Sequence, residues 1–368
     1  MYNSELNSKL RALAIYLPQF HPVKENDEWW GMGFTEWTNV AKSTARFPGH
    51  YQPQLPTDLG FYDLRVAEVR QLQADLAKQY GIHGFCYYHY WFTGRRILEQ
   101  PFNAVLQSGK PDFPFCLCWA NENWTRRWDG QDQEVLLKQD YSEEDDRAHI
   151  RSLIPAFTDD RYIRVDGKPV FIVYRTNLLP DPKHTAKIWR EEVQQAGISG
   201  LYLIQVNSLG AHHNPNDIGF DAALDFQPDW GNMPAKQLGG IKEKFMRRLG
   251  NKPHYDKDNI YDYDAMVDKM IARKGVGYKM FPGVTPSWDN SARRKQGATI
   301  VDAATPDKYE EWLRNIVNTF KPYSKEENFI FINAWNEWAE GNHLEPCIRW
   351  GRKYLEATAR ALSAINNH

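Results

Sequence analysis

Phe329-Ile330-Phe331-Ile332-Asn333-Ala334-Trp335-Asn336-Glu337-Trp338-Ala339-Glu340-Gly341 decides how this chain is read. Its first four residues form an unbroken apolar run, short enough for a strand buried on both faces. The run leads into two carboxylates, Glu337 and Glu340, framed by Trp335 and Trp338. Aromatic rings beside two acids suit a sugar site. Rings stack on the apolar faces of pyranose units, and acids move protons at a glycosidic oxygen or a hydroxyl.

Toward the N-terminus the apolar pattern recurs. Runs at 11–17, 84–88, 115–119, 169–174, 201–206, 222–226 and 279–284 precede it, so 329–333 is the eighth. Helices are predicted between them. Leu64, Val66, Val69, Leu72, Leu76 and Tyr80 recur at helical spacing, and Gly81 stops that helix. Ser142 precedes an acidic first turn, Thr305-Pro306 opens another helix, and a last one runs from about Arg352 to Ile365. Strand then helix, eight times over, predicts a (β/α)8 TIM barrel: one domain over residues 1–368, core 11–366, with long βα-loops. A doubly wound open sheet also alternates. The count of eight, and the polar and aromatic residues that follow strand after strand, favour the barrel. No Rossmann glycine fingerprint opens the first helix, and no P-loop motif occurs.

A chain of 368 residues, 42% hydrophobic, holds one barrel-sized domain or two ordinary ones, and no linker argues for two. With 45 basic and 47 acidic side chains, no global field favours nucleic acid or an anionic membrane. No apolar run is long enough for a transmembrane segment. Fourteen tryptophans are a surplus that carbohydrate sites commonly explain. Cys86, Cys116, Cys118 and Cys347 include no CxxC pair and read as buried free thiols, in keeping with a reducing compartment. The start, residues 1–9, is polar and has no signal-peptide core, so a cytoplasmic location is expected; a trimmed signal would make the protein periplasmic or secreted. No cofactor and no metal are expected. His212 and His213 are adjacent, so on a strand they point apart, and no HExxH occurs.

In a barrel, chemistry sits where strands end. Gln19 and His21 follow the first strand. Tyr88, His89, Tyr90 and Trp91 follow the second, and Trp119, Asn121, Glu122 and Trp124 the third. Gln227 follows the sixth, Trp288, Asp289 and Asn290 the seventh, and Trp335, Asn336, Glu337, Trp338 and Glu340 the eighth, with His343 and Glu345 beyond. Together these predict a cleft for an oligo- or polysaccharide. Glu337 and Glu340 are the acid/base candidates, because two nearby carboxylates in unequal surroundings hold one protonated and one ionised group near neutral pH. Glu122 is the third acid, either a substrate contact or half of an ion pair. Arginine doublets at Arg95-Arg96, Arg126-Arg127 and Arg293-Arg294 fall in predicted βα-loops. They would favour an anionic group such as a uronic acid, a sugar phosphate or a lipid diphosphate, unless they serve only to pair with nearby acids.

The segments Ala14-Ile15-Tyr16-Leu17-Pro18-Gln19-Phe20-His21, Gly33-Phe34-Thr35-Glu36-Trp37-Thr38-Asn39-Val40 and Trp119-Ala120-Asn121-Glu122-Asn123-Trp124 resemble the WbsX-type proteins. These are encoded with surface-polysaccharide and O-antigen (lipopolysaccharide) biosynthesis genes and are often labelled glycosyltransferases. The resemblance covers residues 11–352. That group is in turn similar to glycoside hydrolase family 99, the endo-α-mannosidases and endo-α-mannanases, which have a (β/α)8 barrel. Trp335 to Gly341 matches that family's Trp-Asn-Glu-Trp-His-Glu-Gly motif, with Ala339 where histidine is common. The similarity implies that Glu340 is the general acid/base and that Glu337 deprotonates the sugar's 2-hydroxyl. A 1,2-anhydro sugar would form and be opened by water with net retention. It also implies that Tyr87, Tyr88 and Trp91 line the −1 and −2 subsites, and Glu36 and Trp37 join the candidate substrate-binding residues. Ala339 bears on leaving-group contacts and mannose preference. The leading expectation is a retaining, endo-acting glycosidase of α-linked, mannose-type or anionic, bacterial polysaccharide. A glycosyltransferase or other enzyme of surface-polysaccharide biosynthesis, and a non-catalytic glycan-binding protein, are the alternatives. No strand-end DxD supports the transferase.

Overall fold

The computed structural model describes residues 10–125, 135–208, 213–250 and 253–363. The apolar runs form nine parallel strands: β1 Arg11–Tyr16, β2 Ile82–Phe92, β3 Phe115–Trp119, β4 Lys168–Val173, β5 Tyr202–Asn207, β6 Ala222–Asp225, β7 Met280–Phe281, β8 Gly283–Val284 and β9 Phe329–Ile332. Their order is β7-β6-β5-β4-β3-β2-β1-β9-β8. The extra strand arises because the seventh run is cut at Pro282, which has no N–H to give to a ladder. Its first half pairs with β6, Met280 opposite Ala223; its second half pairs with β9, Gly283 opposite Phe331. The Pro282 carbonyl accepts from Phe331 N at 2.9 Å, so one short run closes the barrel. Gly283 is required there, since a Cβ would lie 2.1 Å from the Asp225 carbonyl oxygen.

The helices around the barrel are α1 Ala67–Gln79, α2 Gln100–Ser108, α3 Glu143–Phe157, α4 Pro182–Gln195, α5 Tyr263–Ile271, α6 Pro306–Thr319 and α7 Lys353–Ser363. The predicted caps at Ser142 and Thr305 form, and Asp262 caps a third helix. Ser142 Oγ accepts from Asp145 N, Asp262 from Ala265 N, and Thr305 from Lys308 N. The strict strand–helix alternation fails once. Among the described residues β5 and β6 are joined only by a 3-10 turn, Pro215–Ile218. The predicted apolar stripe on α1 also needs correction. Leu72 is 55% exposed, while Arg70, Gln73, Ala74, Leu76 and Ala77 are buried. Gln73 is buried because it has two partners inside: it accepts from the Tyr16 hydroxyl at 2.7 Å and donates to Glu345 at 2.6 Å.

The core fills the barrel and the shell between strands and helices, with Trp119, Trp189, Tyr16, Phe85, Phe115 and Phe171 fully buried. Each such ring contributes about 2–3 kcal/mol by leaving water. All four cysteines are free and buried. Among the described residues no helix is long and apolar enough to cross a membrane. β2 outruns its predicted end. It continues to Phe92, beyond the barrel, and folds back on Arg95–Ile97, with Tyr90 opposite Ile97.

Candidate active site

The turn after β9 presents both acids. Asn336–Glu337 pairs antiparallel with Asn342–His343, and a 3-10 turn, Trp338–Glu340, joins them. Residues three apart eclipse in a 3-10 turn, so Glu337 and Glu340 share a side. Gly341 ends the turn at φ +56°, where a Cβ would stand 2.7 Å from Gln54 and 2.9 Å from Asp289. The turn is fixed from behind. Trp338 Nε1 donates to Glu345 at 2.7 Å, and its ring stacks on His343 with centroids 3.7 Å apart. Asn336 donates to the Leu17 carbonyl at 3.0 Å and accepts from Leu17 N at 2.7 Å, so its amide serves as one more rung beside β1.

Arg293 lies between the acids. It follows the 3-10 turn Asn290–Ala292, and its side chain is 13% exposed. The guanidinium donates to Glu340 at 2.5 Å, to Glu36 at 3.0 and 3.1 Å, and to Glu337 at 3.2 Å. Burial opposes its charge, and the three carboxylates more than restore it, holding the group firmly cationic. One cation cannot balance three buried anions. Burial chiefly, then repulsion from Glu340, pushes Glu337 up to about 8 against the pull of Arg293. Glu340 is also raised by burial, with Arg293 opposing. Burial thus pushes both acids toward their protonated forms, and Glu337 has the longest contact to Arg293.

Above the cluster opens a cavity of about 250 Å³. Gln19, Tyr88, Tyr90, Glu122, Trp124, Trp288, Arg293, Glu337 and Glu340 line it, all named from the sequence. Trp29, Trp30, Tyr174, Phe226, Asn26 and Asn333 line it as well and were missed. Tyr174, Phe226 and Asn333 close predicted strands, so the strand-end rule could have found them. The Trp29-Trp30 doublet lies well past the first strand's end, beyond the reach of that rule. Glu122 is ion-paired with Arg175 at the cavity wall.

Other expectations are corrected. β2 alternates, so Tyr88 and Tyr90 face the cavity while Tyr87, His89 and Trp91 face the helices. Tyr87 packs on Phe102. His89 pairs with His149 at 2.9 Å, and Trp91 donates to Asp145 at 3.0 Å. Trp119 and Trp335 are wholly in the core, and Trp37 donates to the Tyr62 carbonyl at 2.8 Å. His21 is fully buried, which lowers its pKa to about 4. Asn121 is bound to the Arg175 backbone, and Gln227 to Asp225 and Asp229 N. Asp289 accepts from Gln52, His50 and Ser291 N, and Asn290 from Thr299 N, so both shape the loop that carries Arg293. Glu36, by contrast, belongs to the acid cluster itself.

The described arginines of the doublets have separate partners and places. Arg95 pairs with Glu25, and Arg96 lies opposite Trp91 in the hairpin. Arg293 is committed to the three acids, and Arg294 lies in a neighbouring cavity. Arg126 and Arg127 fall outside the described residues, as does His212. Among the described residues no group of three or more His, Cys, Asp or Glu side chains is placed to hold a metal ion.

Comparison with known proteins agrees with this architecture. The chain is 43% identical over 352 residues to "Uncharacterized protein WxcX" of Xanthomonas campestris pv. campestris strain B100, covering 95% of this chain and 49% of that protein. It thus spans about half the length of the curated relatives it matches. A solved GH99 endo-alpha-mannosidase from Bacteroides thetaiotaomicron superposes with a TM-score of 0.55 at 14% identity, over 97% of each chain. A solved "Glycoside hydrolase-like protein" gives 0.57 at 16% identity, over 97% of this chain and 95% of that one. At such identities the likeness is one of fold, the TIM barrel. The family model described as "Glycosyltransferase WbsX" matches residues 12–358, and the chain belongs to that family.

Proposed function

We propose that this protein is a retaining, endo-acting glycoside hydrolase-like enzyme that cleaves an α-linked bacterial polysaccharide. One observation carries the reading: Glu36, Glu337 and Glu340 share a single buried guanidinium at the floor of an aromatic-walled cavity. Such a cluster holds one mobile proton beside ionised carboxylate, which is what general acid/base cleavage of a glycoside uses. Family membership and the fold support a carbohydrate-processing enzyme.

In the proposed reaction a pyranose ring sits against Tyr88, Tyr90 and Trp124 with its 2-hydroxyl toward Glu337. Before the sugar binds, the proton of the cluster is taken to be on Glu337. As the 2-hydroxyl takes up its hydrogen bond to Glu337, the proton passes within the cluster to Glu340, whose ionised form then loses the tighter contact with Arg293. Glu337 removes the 2-hydroxyl proton, O2 attacks C1, the bond from C1 to the leaving oxygen breaks, and Glu340 protonates that oxygen. Water then gives a proton to Glu340 and its oxygen attacks C1. The C1–O2 bond opens, and Glu337 returns its proton to O2. Two inversions at C1 give net retention, with no enzyme nucleophile.

The test is turnover of a panel of bacterial surface polysaccharides and activated α-glycosides, followed by mass spectrometry, for wild type, Glu337→Gln and Glu340→Gln. Fragments from wild type alone are expected. Equal fragment release from all three would refute the assignment. Transfer from a sugar nucleotide without hydrolysis would favour the transferase that the family's description names.

A further inference from the structure

A second cavity, of about 550 Å³, lies on the other side of Arg293 and shares Trp30 and Arg293 with the first. The short helix Glu36–Lys42 forms one wall. Glu36 turns to Arg293, and Asn39, one turn on, faces the cavity, with Lys42 beyond it. The loop after Arg293 and Lys257 form the opposite wall.

The charges here are one-sided. Asp258 is the single carboxylate lining this cavity among the described residues, and it is already paired with Arg46 at 3.2 Å. Arg46 also donates to the backbone carbonyls of Ser291, Arg294 and Lys295, so it anchors the loop. Arg293 is committed to the acid cluster. Lys42, Lys257, Arg294 and Lys295 also line the cavity. A second observation points to a ligand. Asn39 is 3% exposed and its Nδ2 has no hydrogen-bond partner, although it stands at this cavity's wall. A buried donor left unpaired is unfavourable, and a bound acceptor would satisfy it. The cavity also adjoins the chemistry, since Arg294 is near enough to draw Glu340 toward its ionised form.

We infer that this cavity is a subsite for an anionic substituent, a carboxylate or a phosphate, on a sugar next to the cleaved bond. The inference rests on the glycosidase reading for the word subsite and deepens it by naming the substrate's charge. It moves the anion-recognising role from the arginine doublets to Lys42, Lys257, Arg294 and Lys295, around the donor of Asn39.

The experiment reads binding without turnover, so either idea can fail alone. Inorganic phosphate, glucuronate and neutral glucose are titrated calorimetrically into the wild-type protein and a Lys42→Ala/Lys257→Ala variant, at low and high salt. Both lysines are exposed, so the variant is expected to melt with the wild type. Wild type should bind at least one anion and bind glucose more weakly. The variant should bind that anion at least tenfold more weakly, and added salt should narrow the difference. The tighter anion identifies the source, phosphate-bearing or uronate-bearing glycan. The inference is overturned if neither anion binds better than glucose, or if the variant binds both as wild type does. It is equally overturned if Asn39→Asp, which puts a negative charge at the orphaned donor, leaves anion affinity unchanged.

Discussion

Glu337→Gln should make this protein more stable in alkali, by an amount that the cluster sets. Glu337 has a folded pKa of about 8 against 4.5 for an unperturbed glutamate. The folded state therefore keeps a proton that the unfolded chain releases. Stability that depends on this proton is fully present below about pH 4.5, declines as pH rises, and is gone above the folded value. The whole displacement would correspond to about 5 kcal/mol. Part of the proton is shared with Glu340, and the glutamine variant loses a contact to Arg293, so about 2 kcal/mol is the expected net gain. For a chain of 368 residues that is roughly 2–4 °C in Tm. Thermal melts of wild type and variant from pH 5 to 9.5 measure it. The curves should nearly coincide at pH 5, where protonated glutamate and glutamine are alike. They should separate through neutrality and run parallel above about pH 8. Identical pH slopes would mean that Glu337 carries no extra proton, and the proton-sharing account of the cluster would fall with it.

Gly341→Ala places a methyl against Gln54 and Asp289 at a left-handed residue, and should cost about 2–3 kcal/mol in urea unfolding; a loss under half a kcal/mol would show that the turn can relax. Trp338→Phe keeps an aromatic ring on His343 but removes one of the donors to buried Glu345, whose pKa is already pushed up to about 7 by burial. It should cost about 1–3 kcal/mol, with the largest deficit above pH 7; a deficit that does not vary with pH counts against a proton at Glu345. Trp124→Ala should weaken the affinity of the Glu340→Gln variant for a bound oligosaccharide by about 1 kcal/mol with little change in Tm, and unchanged affinity would remove Trp124 from the sugar wall.

The fold was legible because local signals agreed: eight apolar runs, capped helices and turn glycines all called for one barrel. The cut at Pro282 was less visible. A proline in a strand marks a break, but only the tertiary ladder shows that the two halves serve different neighbours. The acid pair was legible too, because Glu337 and Glu340 lie three apart beside a strand end. Arg293 and Glu36 were named, yet as an anion binder and a general substrate contact. Their true relation joins residues 257 positions apart, and no periodicity reports such a contact. The tyrosines of β2 were placed by the strand-end rule and by resemblance rather than by parity. Had the strand been carried to Phe92, its alternation would have separated Tyr88 and Tyr90 from Tyr87 and Trp91.

Asn336 carries a consequence for how activity and folding are related. Its amide docks on Leu17, 319 positions earlier, alongside the backbone bond from Trp335 to Ile15. The turn bearing Glu337 and Glu340 therefore has its seat supplied by the opposite end of the sequence. Until the first strand meets the last, the two acids have no fixed relation to Arg293 or to the aromatic wall of the cavity. Under the proposed function a nascent or partly opened chain is inactive, and turnover reports that the ring is whole.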